Sequence, residues 1–330
     1  MDYYGHEDIT YVPRNPDDRS DYCPVLYQPM PNSIQLIPAY VRELSSLTPR
    51  SSSEQSQQIS QRNIALVQRR IDAVGDLDPQ RILKCYGYRF GDKPCMIVAR
   101  DGKESLARLI ARGDLNPLER LELLYEAGKA IQYLHSKSPP VVHGGVHPKT
   151  ILIARPNSAV LSDFGLPNVW RLLELDSGFA HPAIDEAWLG PLAGAKVGYT
   201  APEYILDEEE EMLPPADIYA FASVILAVLS SRHPFSGVSI SSAKGIAAIV
   251  HGVPPDPEDH PNLSKDDPLW PLLQRMWSRN PGDRPTIDEV MKQLNQELKI
   301  RGGEAVTNII GLEDVGGYPT CDQVNAESSA

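Results

Sequence analysis

The sequence predicts an α+β chain, rich in strands before residue 100 and mainly helical after it. Three observations predict this. Short runs rich in Ile, Leu and Val, Ser33 to Val41 and Cys95 to Ala99, lie early in the chain and read as strands. From Leu118 onward apolar residues recur at helical spacing behind the start signal Asn116-Pro117, with Glu119 in the first turn. The stretch Phe221 to Leu229 is almost wholly apolar and reads as a buried helix, since a membrane span takes about eighteen or more such residues.

Composition narrows the class. With 330 residues, of which 42% are hydrophobic and 23% charged, the chain can bury a sizeable core in one large domain or two lobes. A net charge of −13 disfavours nonspecific binding to nucleic acid or to anionic lipid. Cys23, Cys85, Cys95 and Cys321 have no C-x-x-C spacing and are too few for a disulfide scaffold. The start, MDYYGHEDIT, has neither a basic region nor an apolar one, so an intracellular protein, cytoplasmic or nuclear and without a membrane segment, is expected.

Taken in order, residues 1 to about 30 are polar and without period, and read as loop or loosely attached strand. The strand Ser33 to Val41 runs into a Ser- and Gln-rich connector, Ser45 to Gln58. Ile59, Ile64, Val67, Ile71 and Val74 mark one face of a helix ending near Gly75. Strands follow at Ile82 to Tyr88 and Cys95 to Ala99, about the turn Gly91 to Pro94. Leu118, Leu121, Leu124, Ile131 and Leu134 line the long helix, and a short strand, Val141-Val142, leads out of it. Asp207 to Glu211 is an acidic, solvated loop. Thr286 and Glu289 form a capping box for a last helix with Val290, Leu294 and Leu298 facing inward, and the tail from Arg301 is polar and Gly-rich.

The centre of the chain is VVHGGVHPKTILIARPNSAVLSDFG, from Val141 to Gly165. It resembles the catalytic and metal loops of the protein kinases, where H-R-D-x-K-P-x-N-I-L is followed by a strand and D-F-G. His143, Gly145, His147 and Thr150 stand where the family has histidine, the catalytic aspartate, a lysine and the metal-binding asparagine. Asp163, Phe164 and Gly165 keep the D-F-G, 18 positions after Gly145. Further motifs follow in family order. Tyr199 to Glu203 resembles Y-x-A-P-E, Asp217 to Ala222 resembles D-x-W-S-x-G, Ser231 to Phe235 resembles G-x-x-P-F, and Trp277 to Pro285 contains the R-P element.

The resemblance implies a bilobal fold: a degenerate, β-rich small lobe over residues 1–99, a hinge at 100–102, a larger and mainly helical lobe over 103–300, and a disordered tail over 301–330. It also implies which chemistry is missing. Kinases position a strand lysine and helix glutamate on the nucleotide, glycines over the phosphates, an aspartate as base and Mg²⁺ on an aspartate and an asparagine. In this register Gln35 replaces the lysine and Asn63 the glutamate, and Gly5 is the only glycine before Gly75. Gly145 has no side chain to act as base, and Thr150 offers Mg²⁺ one neutral hydroxyl. Asp163 alone keeps a catalytic identity, as a residual Mg²⁺ or nucleotide contact or as a conformational element of its turn.

His143 and Phe164 match the column joining the lobes, with Val67 as its helix member. Asp217 matches the aspartate that holds the loop backbone, and Glu203 with Arg284 matches a buried ion pair. His147 is read as a solvent-facing substitution, and truncating it or Thr150 as costing within about 0.5 kcal/mol. Three readings stay open: a pseudokinase acting as scaffold or allosteric partner of an active kinase or signalling component, with no cofactor required; an atypical active serine/threonine kinase using ATP and Mg²⁺ through Asp163; and an incomplete reading frame whose small lobe is not a stable element.

Overall fold

A computed structural model describes residues 9–11, 22–27, 37–43, 77–89, 95–99, 104–154, 158–162, 198–206, 212–237 and 243–302. The expected helix over 59–75, the turn at 91–94, the residues 100–102, the acidic run 207–211 and the tail beyond 302 lie outside them. So do Gln35, Asn63, Val67, Asp163, Phe164 and Gly165.

The first layer is an antiparallel sheet of five strands: β1 (Ile9–Tyr11), β2 (Tyr22–Tyr27), β3 (Ile37–Glu43), β4 (Cys85–Arg89) and β5 (Cys95–Ala99), in the order β1-β2-β3-β5-β4. Every residue of β5 is buried, which explains its unbroken apolar run in place of an alternating one. Ala39 and Val41 on β3 are fully buried and share a core with Cys95 and Ile97.

Two strands depart from the sequence reading. β3 begins and ends later than Ser33 to Val41, and the polar start of the chain contributes β1 and β2. β4 starts at Cys85 because the residues before it are engaged elsewhere. The Leu83 amide donates to the Leu161 carbonyl at 2.8 Å and the Leu161 amide to the Arg81 carbonyl at 2.9 Å, forming a bridge between Ile82 and Leu161.

The second part is mainly helical. A small antiparallel sheet of β6 (Glu104–Ser105), β7 (Ile151–Ala154) and β8 (Ser158–Leu161) flanks it. Helix α1 (Leu106–Arg112), absent from the sequence reading, starts on the Ser105 side chain and stops at Gly113, whose φ of 76° suits glycine. Helix α2 (Pro117–His135) carries the full capping box: Asn116 Oδ1 accepts from the Glu119 amide at 3.0 Å, and Glu119 Oε2 accepts from the Asn116 amide at 2.8 Å. No strand forms at Val141-Val142; the Val141 amide instead donates to Leu134 O at the end of α2.

The short helix α3 (Glu203–Leu206) precedes α4 (Pro214–Ser230), in which every residue from Ala216 to Ser230 is buried. An apolar surface on all sides requires that placement at the centre of the lobe. Helices α5 (Ala243–Val250), α6 (Trp270–Met276) and α7 (Ile287–Gly302) complete it. Helix α7 runs past the expected limit at 300 because Arg301 Nη2 bonds Asp267 at 2.8 Å and Glu297 at 3.2 Å. It packs on α2 so closely that a Cβ on Gly128 would stand 2.3 Å from Met291 Sδ and 3.3 Å from the Phe221 ring. Among the described residues no helix is long and apolar enough to cross a membrane.

Candidate functional site

Between α2 and β7 the chain forms a loop, 141–150, whose backbone is fixed from below by one carboxylate. Asp217 is 1% exposed at the start of α4. Its Oδ2 accepts from the His143 amide at 2.8 Å and its Oδ1 from the Gly144 amide at 2.9 Å. His135 Nε2, at the end of α2, completes the set at 3.0 Å from Oδ2. Gly144 has φ of 75°, a conformation that places two successive amides over one carboxylate and that a side chain would strain.

His143 is fully buried above Asp217. Its Nε2 donates to the Ser162 carbonyl at 2.9 Å, and its Nδ1 accepts from the Gly145 amide at 3.2 Å. A carbonyl can only accept, so the proton sits on Nε2. Burial lowers the imidazole below the ordinary histidine value, against the smaller opposing pull of Asp217 and the Ser162 carbonyl. His143 thus anchors the loop to the end of β8.

Two sequence readings change here. Thr150 is no ordinary loop position. Its hydroxyl lies 2.9 Å from the Gly145 carbonyl and 3.0 Å from the His147 carbonyl, while accepting from the His147 amide at 3.0 Å. The Thr150 carbonyl in turn accepts from the Ser162 amide at 2.8 Å. His147 is not solvent-facing: it is half-buried, its ring 4.3 Å from that of Tyr199, and its Nδ1 accepts from the Lys149 amide. Tyr199 packs edge-on against His233 at 5.6 Å, and burial pushes its phenol up. These rings join the loop to the Y-x-A-P-E segment. No spacing in the sequence shows such a stack.

Farther along that segment Glu203 meets Arg284. Both guanidinium nitrogens, Nη1 and Nη2, lie 2.7 Å from the carboxylate oxygens. Arg284 also donates to the Ser278 and Pro215 carbonyls and lies over the Tyr219 ring at 5.2 Å.

Chemically, the loop is closed on itself. At Gly145 the amide is engaged by His143 and the carbonyl by Thr150. The Thr150 hydroxyl is turned toward backbone, so neither residue fits a magnesium ion, which prefers charged oxygens in an octahedral array. Asp217 is occupied beneath the loop.

The structure also points to Arg42, which sequence reasoning missed. Ala39-Tyr40-Val41-Arg42 on β3 repeats the apolar-x-apolar-base order of V-A-I-K, and Arg42 pairs in register with Met96 of β5. Gln35 lies outside the described residues, and Arg42 is a second residue that matches the lysine of that order. The basic end of the run was the available signal; the I-x-L flanks drew the register away from it.

The family model for the protein kinase domain matches residues 50–294, a span that begins after β3. Receptor-interacting serine/threonine-protein kinase 2 of Bos taurus is 27% identical over 201 residues, 59% of this chain and 35% of that protein. A probable inactive receptor kinase of Arabidopsis thaliana is 26% identical over 260 residues, 72% of this chain and 37% of that protein. Receptor-interacting serine/threonine-protein kinase 3 of Homo sapiens is 24% identical over 248 residues, 72% of this chain and 46% of that protein. The chain therefore spans less than half the length of these relatives.

Proposed function

The chain belongs to the protein kinase family, and we propose that it is a pseudokinase: a kinase-fold protein that acts by binding other proteins, as scaffold or allosteric partner, without transferring phosphate. The observation that carries this is the closed loop at Gly145, where the family needs a carboxylate to take the proton of the substrate hydroxyl. Groups that act as one catalytic unit are not replaced singly, and the base and the metal-binding amide are absent together.

What remains serves geometry. Asp217 holds the loop, Arg284 and Glu203 hold the segment after it, and His143 ties the loop to β8. A partner that reads this surface needs the shape and not a nucleotide, so neither ATP nor Mg²⁺ is required. An active kinase or another signalling component is the proposed partner, at an intracellular location. The inactive receptor kinase among the relatives is in keeping with this.

One observation favours a second reading, an atypical active serine/threonine kinase: the β3 sequence Ala39-Tyr40-Val41-Arg42 ends on a basic residue, in the order of V-A-I-K. Asp163 would then carry the metal. A thermal-shift titration with ATP, with and without Mg²⁺, separates the two. A site of about 10 µM affinity adds about 2.7 kcal/mol at about 1 mM ATP, which is a shift of several degrees. The pseudokinase is expected to show no Mg²⁺-dependent shift, and a shift of that size would favour the second reading.

A further inference from the structure

Away from the loop, one buried pair of side chains has more hydrogen-bond acceptors than protons. His260 follows the 3-10 turn Pro257–Asp259 and is fully buried. Its Nε2 lies 3.0 Å from the Pro234 carbonyl and its Nδ1 2.9 Å from Ser230 Oγ. The carbonyl only accepts, so Nε2 carries a proton. Ser230, the last residue of α4, also has its hydroxyl 2.7 Å from the Leu226 carbonyl. It accepts from the Arg232 amide at 3.3 Å. One hydroxyl proton therefore faces two acceptors, Leu226 O and the bare Nδ1 of a neutral imidazole. A second proton on His260 removes the conflict, because Nδ1 then donates to Oγ while the hydroxyl stays on Leu226 O.

We propose that His260 and Ser230 form a buried proton-binding switch, in which uptake of one proton by the imidazole turns the Ser230 hydroxyl from Nδ1 to the Leu226 carbonyl. No heavy atom has to move. Desolvation opposes the charged form most strongly, with Arg232 and His233 adding to it, while the Pro234 carbonyl and Asp259 favour it. Trp270 covers one side with an uncharged ring, 6.2 Å away. The net balance puts the midpoint below the ordinary histidine value.

The pair lies behind the site region, across the turn whose Pro234 carbonyl His260 holds. Pro234 and Phe235 begin that turn, and the Asp259 carbonyl accepts from both Arg232 Nη1 and Ser236 Oγ. A Cβ on Gly198 would lie 2.8 Å from His233 and 3.2 Å from Phe235, so the turn backs directly on Gly198 and its neighbour Tyr199. Tyr199 is the ring on which His147 is stacked. The sign follows from the lowered midpoint: the unfolded chain takes up the proton first, so stability present above about pH 6.5 is lost progressively as pH falls from there toward the midpoint of the folded chain.

The test is nitrogen-15 NMR of the histidine rings in the whole chain between about pH 5 and 8, on the wild type and Ser230→Ala. The expected result is an Nε2–H tautomer for His260 at high pH and one titration below that of an exposed histidine. In Ser230→Ala the midpoint drops by a further half to one unit, roughly, because the charged form loses the stronger hydrogen bond. An Nδ1–H tautomer, an absent titration or an unmoved midpoint in Ser230→Ala would overturn the proposal. Should Ser230→Ala fail to fold, melting temperatures of the wild type and His260→Gln over the same range decide. Loss of stability toward low pH in the wild type relative to His260→Gln is expected, and parallel curves would overturn it.

Discussion

The hydroxyl of Thr150 lies 2.9 Å from the carbonyl oxygen of Gly145. The residue at a metal-binding position is thus turned back onto the residue at the base position. Removing the hydroxyl leaves the His147 amide and the Gly145 carbonyl without this partner. Thr150→Ala is therefore expected to cost about 1 to 2 kcal/mol in a denaturant melt, above the loop value expected from sequence alone, and Thr150→Ser to cost less. Equal stability of Thr150→Ala and the wild type would contradict this.

Arg284 has a side chain with 0% exposure and engages Glu203 through two nitrogens. Arg284→Ala leaves a half-buried carboxylate and two carbonyls unpaired, and is expected to cost about 3 to 5 kcal/mol. Glu203→Gln keeps one oxygen acceptor for the fork and should cost less. Equal melting of the two variants would show that the charge of Glu203, and not the geometry of the fork, carries the effect.

Asp217→Asn should loosen the loop without unfolding the lobe. Its amide nitrogen cannot accept, so one of the His143 and Gly144 amides loses its partner, at about 1 to 3 kcal/mol. Hydrogen exchange reads this locally: the His143 and Gly144 amides should exchange faster, while those of α7 stay unchanged.

Gly128 has room for a hydrogen and nothing larger, given the Met291 Sδ that a Cβ would meet at 2.3 Å. Gly128→Ala gains helix propensity of about 1 kcal/mol but must push Met291 and Phe221 apart. A net destabilisation of about 1 to 2 kcal/mol is expected in the same melts. A stabilised Gly128→Ala would mean that Met291 moves aside freely.

The large lobe was legible because its signals are local. Asn116 with Glu119 and Thr286 with Glu289 are capping boxes within a single turn, and the apolar run of α4 can be read without knowing what covers it. The Arg284 and Glu203 pair was legible through motif order. The bounds of β3 were not: they are set by pairing with β2 and with the distant β5, so the strand runs over Ile37–Glu43 and not Ser33 to Val41. Thr150 and His147 were misread because the identity of a residue does not show where its hydroxyl or ring turns. The Thr150 latch depends on the loop curling over Gly145, and the His147 stack on a tyrosine well downstream.

Phosphate transfer distinguishes a pseudokinase from an active kinase. Labelled ATP with Mg²⁺ is offered to the wild type, Gly145→Asp and Asp163→Ala, with generic protein substrates and with the chain itself as acceptor. No transfer by any of the three is expected, because a carboxylate at position 145 supplies one part of a unit whose metal-binding amide is replaced by the Thr150 latch. Transfer by the wild type that disappears in Asp163→Ala would contradict it.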